Sequence, residues 1–192
     1  MKELSILLIG VIAIFALSSY LRRHLYLDKV ESRVNKKKYY VRKLPDKQEA
    51  ADKLANIGIK LQKLIDGLDL EDKEKGKYIK QLKERFNSDY ITENIPGSDF
   101  VAYSVNKGDE LSLCVREKDT EKFMDDNIII FVAIHELAHI MTPEQQHTPL
   151  FWDNMKYLLE QGSSMGIYTP VDYSKNPEMY CGMEINSSPM KF

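Results

Sequence analysis

The spacing of apolar positions changes several times along the chain. Residues Leu4 to Tyr20 form an uncharged run whose polar interruptions are Ser5, Ser18 and Ser19. A run of this length is at the low end of what spans a bilayer as a helix. Lys38 to Lys43 is β-prone and ends at Leu44-Pro45, which predicts a strand. Asp46 then caps a helix to about Asp66, with Ala50, Leu54, Ile57, Leu61, Leu64 and Ile65 on one stripe. A second helix is expected from about Leu70 to Phe86, with Tyr78, Ile79, Leu82 and Phe86 inward. Asn87 to Ser98, with Pro96-Gly97, is polar and reads as a loop. Asp99 to Val105 and Leu111 to Arg116 flank a turn containing Gly108, a hairpin signal. Ile128 to Ile134 is apolar on every side, as in a fully buried helix. Asp125, Asp126 and Asn127 stand at its start and Pro143 beyond its end. Thr148 and Pro149 open a last helix to about Met165, whose core face is Phe151, Met155, Leu158 and Leu159; Trp152 beside them reads as a packing residue. The pattern predicts an α+β domain with a short, about three-stranded sheet packed on helices, preceded by one transmembrane helix.

The buried helix carries chemistry. His135-Glu136-Leu137-Ala138-His139 is an H-E-x-x-H sequence. Positions i and i+4 share a helix face, so both imidazoles can point at one tetrahedral zinc ion while Glu136 lies beside it as base for a water molecule. Two histidines and a glutamate inside an apolar helix are costly unless something satisfies them, and a metal does so. A catalytic zinc takes three protein ligands. His147, eight residues after His139 and just ahead of the last helix, is the third candidate; Asp153 or Glu160 is the alternative. Tyr173 and Tyr180 in the tail are candidates for stabilising an oxyanion.

His135-Glu136-Leu137-Ala138-His139, the later His147 and the following Phe151-Trp152 resemble the small WLM and SprT-like zinc metallopeptidases, most strongly over residues 97 to 165. The resemblance implies a small zincin-like fold, Zn²⁺ held by His135, His139 and His147, Glu136 as catalytic base, and a peptide or protein substrate. The interval before His147 is longer than the one such families use. Proteases of DNA–protein crosslinks share the motif, and they form one alternative. A non-catalytic, membrane-tethered module with a closed structural zinc site, for which Cys181 is the candidate fourth ligand, forms the other.

Charge divides the chain. Residues 1–45 hold ten Lys and Arg against three Asp and Glu, a net of +7; the totals of 27 and 29 then leave 17 against 26 in residues 46–192, a net of −9. An acidic domain opposes phosphate binding, so nucleic acid is not an expected partner. The basic residues after the apolar run predict a single-pass anchor with the following domain cytoplasmic, and anionic lipid headgroups as a further partner. Secretion after signal cleavage is the alternative. The expected organisation is an anchor or signal over 1–20, a basic juxtamembrane segment with the first strand over 21–45, a zinc-peptidase-like domain over 46–166 and a tail over 167–192 packing near the site. Cys114 and Cys181 lack a zinc-knuckle spacing and, on the cytoplasmic side, are expected as free thiols. One strand of the 99–116 hairpin is expected at a sheet edge, where an extended substrate can pair with it.

Overall fold

The computed structural model describes residues 21, 23–96, 101–105 and 107–192. Residues 4–20, where the anchor is expected, lie outside them. Among the described residues no helix is long and apolar enough to cross a membrane.

The sheet has five strands in the order β1-β2-β3-β5-β4, where β1 is Leu27–Glu31, β2 Lys38–Arg42, β3 Ile91–Glu93, β4 Ala102–Val105 and β5 Glu110–Leu113. The central pairs β2/β3 and β3/β5 are parallel; the outer pairs are antiparallel, which leaves β4 at an edge. The 20-residue helix α1 (Lys47–Asp66) buries its predicted stripe, and helix α2 (Gly76–Arg85) follows it. Gly58 lets α1 approach the sheet closely: a Cβ there would lie 3.1 Å from Cδ1 of Ile91. Helix α3 (Asp126–Met141) and helix α4 (Pro149–Ser164) complete the core. A separate ribbon, β6 (Glu178–Tyr180) with β7 (Met183–Ile185), closes the chain.

The α+β class holds, and the strand number is corrected from about three to five plus a ribbon. Strand β3 lies within the segment expected as a loop. Its polarity is satisfied internally: the Glu93 carboxylate accepts from Arg116 Nε at 2.7 Å and from the Arg42 amide at 2.7 Å. Arg116 continues to Asp46 at 2.7 and 2.9 Å. Buried polar groups that are fully paired fit a central strand as well as apolar ones do. Asp46 spends its carboxylate on Arg116 and makes no side-chain cap for α1. Helix α2 starts at Gly76, later than expected, because Asp69 and Asp72 accept from the amides of Glu71, Glu74 and Lys75 and hold those residues in turns.

The tail also differs. Cys181 (φ 52°) and Gly182 (φ 85°) form the two-residue turn of the β6/β7 ribbon. This turn brings Cys181 to Cys114, just past β5, with Cα atoms 6.1 Å apart, and the two form a disulfide. The expectation of free thiols is thus corrected, and Cys181 is not available as a metal ligand: its sulfur is already bonded. In the basic segment, Arg33 pairs with Asp52 at 2.6 Å, and Lys37 and Arg42 pair with Asp89 and Glu121.

Candidate metal centre

Helix α3 is sealed on almost every side, as its pattern predicts, and only His135 and His139 are partly open among residues 128–141. Asp125 caps it, its carboxylate accepting from the Asn127 amide at 2.8 Å. Asp126 in the first turn is held by Lys53 and by Lys60 at 3.3 Å. The helix ends at Thr142, ahead of Pro143, and the chain turns back so that His147 stands before the Thr148 cap of α4.

This turn sets three imidazoles together. Nε2 of His147 lies 3.1 Å from Nε2 of His135 and 3.0 Å from Nε2 of His139. Nitrogens bound about 2.05 Å from one tetrahedral zinc lie about 3.3 Å apart, so the observed edges are close to those of such a site. Among the described residues these three form the metal-capable cluster of His, Cys, Asp and Glu side chains. Phe151, fully buried, lies beneath all of them, with ring centroids 4.9, 4.4 and 4.6 Å from those of His135, His139 and His147. Burial, and secondly the neighbouring imidazoles, push His135 down to about 3; burial, with His147 and Lys107 nearby, pushes His139 down to about 4. Both are neutral at pH 7, the form that donates a lone pair to a metal.

Glu136 is 8% exposed, and burial pushes its carboxyl up to about 7, against the opposing hydrogen bond donated by the Ser104 amide. It opens with His135 and His147 into a cleft of about 420 Å³. Val101 and Ala102 of the β4 side form one wall and Met183 to Ser187 of the ribbon another, with Phe131, Val132 and Met155 adding apolar surface. Trp152, expected to pack inside, is 42% exposed and lines this cleft.

The other candidates lie elsewhere. Asp153 binds Lys75, and Glu160 faces Lys156 at 3.7 Å on the exposed side of α4. Tyr173 and Tyr180 are fully buried and do not line the cleft. Tyr173 packs on Phe131, with ring centroids 4.7 Å apart, and the Tyr180 hydroxyl accepts from the Cys114 amide at 3.1 Å.

Positioning residues outside the motif had no signal in the sequence. Lys107, in the β4/β5 turn, donates to the carbonyls of Thr142 at 2.9 Å, Glu144 at 3.2 Å and Pro143, clamping the turn that leads to His147. Asn154, fully buried, donates to Thr142 Oγ1 at 3.0 Å and accepts from Lys75 at 2.9 Å. Gln81 donates to the Ile140 carbonyl at 2.7 Å. Each joins residues far apart in sequence, so no local spacing marks it.

Residues 37–189 match the model of the WLM domain. Uncharacterized protein R325 of Acanthamoeba polyphaga mimivirus is 34% identical over 189 residues, spanning 96% of this chain and 95% of that protein. Uncharacterized protein 136R of Invertebrate iridescent virus 6 is 36% identical over 69 residues, 35% of this chain and 38% of that protein. Among solved structures, Wss1 from Saccharomyces cerevisiae superposes with a TM-score of 0.51 at 19% identity, covering 66% of this chain and 87% of that one. At this identity the superposition speaks for the fold.

Proposed function

The chain belongs to the WLM family, and on that premise we propose that it is a zinc-dependent peptidase. The observation that carries this is a cluster of three imidazole nitrogens that opens, through His135 and His147 and beside the buried Glu136 carboxylate, into an open cleft. His135, His139 and His147 would hold the ion. Zinc bound there would polarise the scissile carbonyl and acidify the attacking water. Glu136, poised near neutrality, accepts the proton of that water and passes it to the departing amine. The apolar walls keep bulk water away from the reacting groups, and the outer edge of β4 offers backbone groups to an extended polypeptide. The open cleft and the engagement of Cys181 in a disulfide both favour a catalytic over a closed structural site.

The test is metal and turnover on the full chain. Wild type should hold one zinc and cut an unfolded protein, Glu136→Gln should hold zinc without cutting, and His147→Ala should lose zinc. A metal-replete wild type that binds no zinc sinks the proposal.

Family membership favours a second reading, a protease of proteins crosslinked to DNA, which predicts stimulation by single-stranded DNA; the net charge of −9 over residues 46–192 weighs against it. As to place, the apolar residues 4–20 and the basic residues after them support a single-pass membrane tether. The Cys114–Cys181 disulfide favours an oxidising surrounding for the domain, as on the non-cytoplasmic side. Carbonate extraction and protease protection of the full chain test both points.

A further inference from the structure

The cleft over the imidazoles has a neighbour, a depression of about 440 Å³ bounded by Asp153, Lys156, Ser188 and Pro189. The two share Trp152 and Ser187. The indole and the segment after β7 thus stand at the neck where the two hollows adjoin. Phe151, Met155 and Leu158 are buried, Phe151 beneath the imidazoles and Met155 at the cleft wall. Trp152 lies about 100° round the helix from Phe151, on the flank facing the metal centre. Its ring centroid is 5.4 Å from that of His147 and 6.3 Å from that of His135. An indole is a large apolar surface with one polar handle, and such side chains dominate contact energies where a partner covers them.

Resting on the peptidase reading, we propose that Trp152 is a substrate-contacting, specificity-determining residue: its indole carries an extended polypeptide across the neck and favours an apolar or aromatic substrate side chain there. An extended chain advances about 3.3 Å per residue, so the favoured side chain lies within about two residues of the cleaved bond. The apolar walls at Val101, Phe131 and Val132 suit the same class of sequence.

Trp152 is the single tryptophan of the chain, so all indole emission reports on this position. The experiment titrates zinc-loaded Glu136→Gln full chain with a fluorescein-labelled, tryptophan-free twelve-residue peptide carrying Phe at its centre, and with its Ser counterpart. Binding is read by anisotropy at trace label, and emission with unlabelled peptide. The expected result is a saturable emission change whose midpoint matches the anisotropy, with the Phe peptide binding about tenfold more tightly. In the active protein, Trp152→Ala should raise KM about tenfold with kcat within about twofold, and Trp152→Phe should restore most of the loss, the pattern of lost uniform binding. Peptide binding without an emission change, or an unaltered KM in Trp152→Ala, overturns the role of Trp152 and leaves the peptidase reading standing. A zinc-loaded protein that neither binds nor cuts any peptide overturns both.

Discussion

The backbone amide of Ser104 donates a hydrogen bond to the carboxylate of Glu136, joining edge strand β4 to helix α3 beside the imidazole cluster. The bond favours the ionised acid and burial disfavours it; burial wins, leaving Glu136 at about 7.

That balance makes a stability prediction for the metal-free protein. Glu136 titrates at about 7 in the folded chain against an ordinary 4.5, so ionising it costs the folded state progressively as pH rises from 4.5 to 7. Glu136→Gln should match wild type below pH 4.5 and exceed it at pH 8 by up to about 3 kcal/mol. Urea unfolding in chelator at the two pH values measures the gap; equal stability at pH 8 would mean that the carboxylate is ionised without cost.

The histidines act in the opposite sense. His135 and His139 are pushed down to about 3 and about 4, so the unfolded chain takes up protons first. Their contribution is fully present above pH 6.5 and is lost as pH falls toward 4 and 3, at most about 1.4 kcal/mol per pH unit for each. Thermal melts of chelated wild type and of the His135→Leu, His139→Leu double variant between pH 7 and 5 should show a clearly shallower slope in the variant.

The three-histidine cluster and its helix were legible because the H-E-x-x-H pattern and a helix period coincide over His135 to His139, and because Thr148-Pro149 marks the start of α4 just after His147. Strand β3 was hidden: Thr92 and Glu93 look solvated until Arg116 and the Arg42 amide are set beside them. The disulfide was hidden for a related reason, since 67 residues separate Cys114 from Cys181 and only the ribbon turn joins them. Lys107, Asn154 and Lys75 act at the end of α3 across separations of 12 to 79 residues, which no periodicity encodes.

Asn154 gives the next prediction. Asn154→Leu removes the amide between Lys75 and Thr142 and leaves the buried Thr142 hydroxyl without that donor. The cost should be about 1–3 kcal/mol of stability and roughly 10–100-fold in zinc affinity, read by chelator competition. Unchanged affinity would show that the His147 turn holds itself.

Reducing the disulfide should lower global stability by about 4 kcal/mol, given the length of the loop it closes. It should also expose residues 178–187 to hydrogen exchange, since a two-stranded ribbon is marginal by itself. Mass spectrometry of exchange in oxidised and reduced protein decides this; identical protection would mean that Tyr180 alone anchors the ribbon.

On β4, the Ser104 amide points away from the ladder, toward Glu136, and the alternation of antiparallel pairing gives Ala102 the same outward amide. Ala102→Pro should therefore keep the sheet and bound zinc while lowering peptide turnover at least tenfold, as an estimate for one backbone hydrogen bond lost in a shielded site. Full turnover would place the substrate off this edge.

Helix α3 is enclosed by packed side chains along almost its whole length. Close-packed interiors do not slide as bodies, so His135, His139 and Glu136 form a fixed anvil. Adjustment to an incoming chain falls to the periphery: the β4 edge and the terminal ribbon. On the peptidase reading proposed above, this makes admission the variable step and the chemistry the constant one, so substrates of different shape would differ in how fast they are captured more than in how fast, once seated, they react.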